Sequence, residues 1–382
     1  MVIPKIFPIT RFILKQIEED LFKGKIVVIY GPRQAGKTTL VRQILEGFSG
    51  KFSYFNCDEP DIRLAFADKT SSELKQLIGN TDIVVLDEAQ RVKNIGLTLK
   101  LLVDTYPNLQ VVATGSSSFE LADKIAEPLT GRSFKYTLFP LSEMEIVDQI
   151  GLLEAKRTVE TRLMFGSYPE IYMEQDVEKK QRLLTALKSD YMLADILKHE
   201  NIKGPDVLYK ILQAIALQIG KEVSLNEISS LVGVDKSTVA RYIDILEKGF
   251  IVFRLGAFSR NLRKEISQKD KIFFYDVGLR NALINNFNPM GLRQDKGDIW
   301  ENFVISERLK RNAYKRDSAN MYFWRTYDQQ ELDLIEEKQG GTDGYEIKWK
   351  SDKFRYPKAF LDAYPNSETT LITRENYLDF VT

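Results

Sequence analysis

The sequence predicts an α/β chain in three parts: an N-terminal domain with a parallel sheet, a helical connector with a winged helix, and a C-terminal α/β domain. Within residues 1–150, short β-branched runs are separated by stretches of helical spacing, the pattern of parallel strands joined by helices. Residues 151–255 are helical in pattern and end in a capped helix, a glycine turn, a second amphipathic helix and a short alternating run. Residues 256–382 hold one long helical stretch followed by three strand-like runs.

A length of 382 residues fits this division, because one ordinary compact core is smaller. Apolar residues make up 43% and charged residues 28%, close to the averages of folded globular proteins. No apolar run approaches the roughly 20 residues of a membrane span. The N-terminus lacks the pattern of a secretory signal, so a cytoplasmic protein with no membrane partner is expected. One cysteine, Cys57, excludes an internal disulfide, and with one histidine, His199, there is no Cys/His zinc cluster. Any metal must then sit on carboxylates, and His199, isolated in a polar helical segment, is given no role. The 54 basic residues equal the 54 acidic ones, so a nucleic-acid site has to be a local basic patch.

Ile26 to Tyr30 reads as a buried strand and runs directly into Gly31-Pro32-Arg33-Gln34-Ala35-Gly36-Lys37-Thr38, with Thr39 continuing into a helix. This is a complete P-loop pattern, and ATP with Mg²⁺ is the expected ligand. Gly31 and Gly36 let the backbone wrap phosphates, the helix start aims N–H groups at them, Lys37 reaches the β and γ phosphates, and Thr38 holds magnesium through its hydroxyl. Leu40, Val41, Ile44 and Leu45 keep the spacing that packs the helix on a sheet. A second strand, Ile83 to Leu86, delivers Asp87 to the side of the P-loop, where it holds magnesium or its water shell. Glu88 then becomes the base that orients the attacking water. A third strand, Leu109 to Ala113, ends in Thr114-Gly115-Ser116-Ser117-Ser118. Thr114 or Ser116 senses the γ phosphate there, or the serines cap the next helix.

Asp87-Glu88-Ala89-Gln90, the Thr114-Gly115-Ser116-Ser117 turn, Gly131-Arg132 and Pro140-Leu141-Ser142-Glu143-Met144-Glu145 occur in this order. Gly166-Ser167-Tyr168-Pro169-Glu170 and Trp300-Glu301-Asn302-Phe303-Val304 follow. In these residues the chain resembles, over nearly its whole length, a large prokaryotic family of AAA-type P-loop ATPases with a C-terminal domain of unknown function. The resemblance implies ATP hydrolysis and lets Arg132 contact nucleotide phosphate or act as an arginine finger; a structural surface arginine is the other reading. Ring-forming relatives usually carry asparagine at the sensor turn; the serines here are a departure that leaves the oligomeric state open.

Lys156 to Leu217 reads as a helical lid and connector, punctuated by Gly166 and Pro169. Ser224-Leu225-Asn226-Glu227 has the capping-box pattern of a helix start, with Ile228 and Leu231 on one face and a turn at Gly233. A second helix begins near Asp235, with Val239, Tyr242, Ile243 and Leu246 at core spacing and Lys236, Ser237, Thr238 and Arg241 outward, as in a helix-turn-helix. Phe250 to Leu255 then reads as the strands of a wing. Two roles follow: Lys236, Ser237 and Arg241 contact DNA, helped by Arg254, Arg260, Arg263 and Lys264, or the module makes protein contacts.

Gly297 to Arg311 reads as a helix carrying Glu301, followed by strands over Met321 to Thr326, Glu331 to Glu336 and Gly344 to Trp349. Alternate strand residues share a face, so Glu346 and Lys348 point the same way and Asp333 approaches them from the adjacent strand. This spacing resembles the restriction-endonuclease-like core. The resemblance implies that Asp333 and Glu346 ligate Mg²⁺, Lys348 orients the attacking water and Glu301 is the acidic residue of the preceding helix. The expected function is therefore MgATP hydrolysis coupled to DNA binding, with metal-dependent DNA cleavage. The alternative is a nucleotide-switched regulatory or interaction protein with an inactive nuclease-like domain.

Overall fold

Ile26–Tyr30 is buried at every position, as a central strand of a parallel sheet must be, and forms β1. The computed structural model describes residues 9–115, 128–192, 205–259, 269–326, 330–350 and 357–382. It divides into two compact units, Met1–Leu141 with Lys248–Phe250, and Ser142–Glu247 with Ile251–Thr382. The first unit adds β2 (Phe52–Asn56), β3 (Ile83–Asp87), β4 (Gln110–Gly115) and β5 (Ser133–Thr137) in the order β2-β3-β4-β1-β5. Every pairing in it is parallel. The P-loop helix, Lys37–Glu46, buries Leu40, Val41, Ile44 and Leu45, the face its spacing predicts. Among the described residues no helix is long and apolar enough to cross a membrane.

In the second unit, Ser142 caps the helix Glu143–Ile150. Its hydroxyl accepts the Glu145 N–H at 3.3 Å, and the Glu145 carboxylate accepts the Ser142 N–H at 2.9 Å. That reciprocal cap points Glu143 into the interior, where it meets Arg162 of the helix Leu152–Phe165 in a two-pronged pair at 2.5 and 2.9 Å. The Tyr377 hydroxyl donates to the same carboxylate at 3.2 Å. The Glu143 N–H is taken by Glu307, which pairs with Lys310 at 2.6 Å. A buried charge left alone is expelled or neutralised; here each has a partner, so segments distant in sequence share one network.

The same unit holds a mixed six-stranded sheet, ordered β11-β10-β9-β8-β6-β7. Its strands are β6 (Val252–Ala257), β7 (Lys271–Phe274), β8 (Asn320–Arg325), β9 (Glu331–Lys338), β10 (Gly341–Ile347) and β11 (Thr369–Ile372). Asn302, on the long helix Lys296–Tyr314, pairs with the edge strand β7. Its amide donates to the Phe274 carbonyl at 2.8 Å and accepts the Phe274 N–H at 2.7 Å. Gly166 has φ +73°, and a β-carbon there would lie 1.9 Å from Asp276 Oδ1, the carboxylate that accepts the Ser167 N–H.

Several expectations change. The run expected as a wing is not free-standing: β6 pairs antiparallel with β7 and parallel with β8, so its backbone hydrogen bonds join the C-terminal sheet. A boundary between residues 255 and 256 therefore falls inside a strand. The helix Glu143–Ile150, expected in the N-terminal domain, falls in the second compact unit. Leu231, expected beside Ile228 on the apolar face, is 69% exposed. Only half of the Ser224 capping box forms: Ser224 accepts the Glu227 N–H, while the Glu227 carboxylate accepts from Gln218.

Glu143→Ala would strand the Arg162 guanidinium in the interior. It should lower the unfolding free energy by about 3–5 kcal/mol, measured by denaturant titration of the full chain.

Candidate functional site

In the first unit the P-loop turns where its glycines permit it. Gly31 has φ +151° and a β-carbon would meet the Leu138 carbonyl oxygen at 2.1 Å, while Gly36 has φ +96° at the start of the P-loop helix. Lys37 is buried, and its ammonium donates to the carbonyls of Gly31 and Pro32, each at 2.9 Å. Thr39 is exposed. Arg11, which nothing in the sequence pattern marks, holds the loop from behind. Its guanidinium donates to the Ala35 carbonyl and to the Phe139 carbonyl, both at 2.6 Å. An arginine becomes legible as a brace only once the carbonyls it meets are known.

Asp87 ends β3 facing this loop. Its carboxylate accepts the Thr38 hydroxyl at 2.9 Å and the hydroxyls of Tyr54 and Thr114. The Thr114 oxygen in turn accepts the Glu88 N–H at 3.0 Å. Thr114 thus braces the two acidic residues and is turned to Asp87; Ser116 lies outside the described residues. Glu88 has φ +53°, and its carboxylate accepts from the buried Gln90 amide at 2.5 Å. Burial, helped by the neighbouring Asp87 carboxylate, pushes the Tyr54 hydroxyl far above its ordinary pKa, so it stays a proton donor.

Arg132 is not brought to the P-loop of its own chain. Its carbonyl accepts the N–H of Ile26, the first residue of β1, and its guanidinium pairs with Asp104 at 2.7 Å. The P-loop follows the last residue of β1, a strand of five residues that spans about 13 Å.

In the second unit the helix Lys236–Lys248 buries Val239, Tyr242, Ile243 and Leu246 and exposes Lys236, Ser237 and Arg241. Asp235 caps it, accepting the Thr238 N–H at 2.8 Å and the Ser237 hydroxyl. These bonds hold the Asp235 carboxyl well below the usual carboxylate range. Arg241 lies over the Tyr242 ring at 5.2 Å. Arg254 is engaged by Asp244 and Glu247 of this helix, an acidic neighbourhood that opposes phosphate contact. Arg260, Arg263, Lys264 and His199 lie outside the described residues.

Asp333 and Glu346 are brought together. The antiparallel register that pairs Tyr345 with Leu334 puts them opposite one another on the next rung, and Asp333 accepts the Ile347 N–H at 2.8 Å. Lys348 lies 3.2 Å from Glu346. Glu301 joins the group through Lys271, whose ammonium is 3.0 Å from Glu301, 2.6 Å from Glu331 and 3.9 Å from Asp333. Burial first, then the Asp333 charge, pushes Glu346 up to about 7 and Glu301 well above the ordinary carboxyl range. Among the described residues no group of three or more His, Cys, Asp or Glu side chains is arranged to hold a metal ion. Of the three carboxylates expected to hold magnesium, Glu301 and Asp333 face the Lys271 ammonium and Glu346 faces Lys348. Lys271 was not singled out from the sequence, where a lysine opening an apolar strand looks like a strand end.

Residues 23–147 match the AAA domain family. Residues 156–290 and 296–379 match two domains of unknown function (DUF8612 and DUF4143). An uncharacterized protein of Mycobacterium tuberculosis is 27% identical over 336 residues, covering 87% of this chain and 72% of that protein. An uncharacterized protein of Methanocaldococcus jannaschii is 27% identical over 373 residues, covering 92% and 82%. The Walker-type ATPase of Pyrococcus abyssi superposes with a TM-score of 0.47 at 16% identity, over 71% of this chain and 93% of that one. AMPPCP-bound DnaA from Aquifex aeolicus gives 0.30 at 17% identity, over 62% and 86%. With the all-parallel sheet and the P-loop geometry, the AAA match makes the N-terminal part of the chain a P-loop domain of the AAA type.

Proposed function

We propose that the chain binds MgATP in its N-terminal unit and hydrolyses it. The observation that carries this is the hydrogen bond from Thr38 to Asp87, which joins the P-loop helix to the end of β3 where a magnesium ion would be shared. The backbone from Gly31 to Thr39 cradles the phosphates, and the Lys37 ammonium exchanges the Gly31 and Pro32 carbonyls for the β and γ oxygens. Thr38 and Asp87 are the residues that would hold a magnesium ion, which when bound would supply positive charge against the phosphates. Glu88 orients the attacking water and takes its proton, with its backbone anchored on Thr114 and its carboxylate on Gln90. Because Arg132 lies at the far end of β1, any finger role belongs to contact with a second copy of the chain.

For the second unit we propose DNA contact through Lys236, Ser237 and Arg241, supported by their exposure on a helix whose opposite side is buried. The resemblance gives the C-terminal domain two roles, metal-dependent cleavage by Asp333, Glu346 and Lys348, or binding without cutting. The Lys271 ammonium on Glu301, Glu331 and Asp333 supports binding without cutting.

Lys37→Ala should weaken nucleotide binding and turnover together, while Glu88→Gln should keep binding and slow turnover by about 100-fold or more. Wild-type turnover in Glu88→Gln would remove the base assignment. In a salt titration of DNA affinity, the Lys236→Ala/Arg241→Ala variant should lose about 2 units of slope; an unchanged slope and affinity take this helix out of the interface. Supercoiled plasmid should stay supercoiled with the protein and Mg²⁺ or Mn²⁺, with or without ATP. Nicking that disappears in Asp333→Asn would return the cleavage reading.

A further inference from the structure

Lys271 opens β7, and its backbone position is set by pairing with Leu255 of β6. Its side chain is only 3% exposed and passes over the Phe323 ring at 5.5 Å. It ends among carboxylates from two elements, Glu301 of the long helix and Glu331 and Asp333 of β9. An ammonium and a divalent cation make the same demand on a protein: carboxylate oxygens that converge on one point. The difference is the tether. A metal ion leaves and enters with its concentration, whereas the lysine is present in every folded molecule.

We infer that the Lys271 ammonium is the resident cation of this acidic cluster and takes the place of a divalent metal, so that the wild-type cluster binds neither magnesium nor manganese. The inference rests on the reading that the C-terminal domain binds without cutting, and deepens it by naming the group that excludes the metal. Burial by itself would lower the Lys271 pKa, but Glu301, Asp333 and Glu331 outweigh it and hold the group above its ordinary value. The other carboxylates also have protein cations beside them: Glu346 has Lys348 at 3.2 Å, and Glu331 has Arg325 at 3.9 Å as well as Lys271. Each of these carboxylates has a protein cation within 4.0 Å, so an arriving metal would have to displace a covalently attached competitor.

The experiment titrates Mn²⁺ into the nucleotide-free full-length chain and follows unbound Mn²⁺ by electron paramagnetic resonance, for wild type, Asp333→Asn, Lys271→Met and the double variant. Wild type and Asp333→Asn should bind Mn²⁺ identically. Lys271→Met should gain a Mn²⁺ ion that the double variant loses, and should melt several degrees lower unless Mn²⁺ is present. Mn²⁺ bound by wild type and lost in Asp333→Asn would overturn the inference, as would a folded Lys271→Met that gains none. If Lys271→Met does not fold, wild type against Asp333→Asn still decides, and Lys271→Arg, which keeps the cation, should fold and match wild type. Plasmid cutting without Asp333-dependent Mn²⁺ binding would sink the non-cutting reading and leave this inference standing. Asp333-dependent Mn²⁺ binding without cutting would do the reverse.

Discussion

Asp87 accepts hydrogen bonds from the hydroxyls of three elements at once: Thr38 at the P-loop helix, Tyr54 on β2 and Thr114 on β4. β3 lies between β2 and β4, so the carboxylate is gripped from both neighbouring strands while its third contact reaches the P-loop. A carboxylate has room for about four such contacts, and with three made by protein its position relative to the loop is nearly settled. The next residue inherits that rigidity. Glu88 adopts φ +53°, a conformation that costs a non-glycine residue on the order of 1–3 kcal/mol. It is kept there by the Thr114 oxygen on its N–H and the Gln90 amide on its carboxylate. Strain over-determined by neighbours in this way is usual where a reacting group must be held still.

The second unit is governed by the same electrostatic rule applied to structure. Glu143 and Arg162 are 0% and 1% exposed, and each would be costly alone. Burial works against the Arg162 charge, yet Glu143 more than restores it, so the guanidinium is held above its ordinary pKa. Glu307 shows how close the balance is. Burial pushes its carboxyl up to about 7 although Lys310 stands 2.6 Å away. The Lys271 cluster lies at the other extreme, where several carboxylates overcome the burial of one ammonium.

The parts of the fold legible in the sequence are those with a local signature. β1, β3 and β4 are continuous apolar runs because they are buried on both faces, and the P-loop glycines sit where the backbone demands them. β2 and β5 went unread because they are the edges of the sheet; Phe52-Ser53-Tyr54-Phe55-Asn56 is half exposed and mixes polar with aromatic residues. The side chains that were missed act over long sequence separations. Arg11 meets Phe139, 128 residues on, and Lys271 meets Asp333 through a sheet whose pairing order no local pattern reveals. The run expected as a wing forms β6, antiparallel to β7 as wing strands are and also parallel to β8; a short alternating strand has the same local pattern whether it ends a small module or joins a larger sheet.

Several residues that carried the family resemblance in the second unit do architectural work. Gly166 makes room for Asp276, Asn302 pairs with the edge of β7, and Ser142, Glu143 and Glu145 cap a helix and anchor a buried ion pair. A buried polar group has few acceptable partners, whatever the protein does. Glu301 belongs to the same stretch as Asn302, and its bond to Lys271 gives it a structural account of the same kind. A resemblance built on such residues therefore speaks to the fold of the second unit, while its chemistry has to be argued from the groups that converge in space. In that convergence the cation facing Glu301, Glu331 and Asp333 is a side chain of the protein itself.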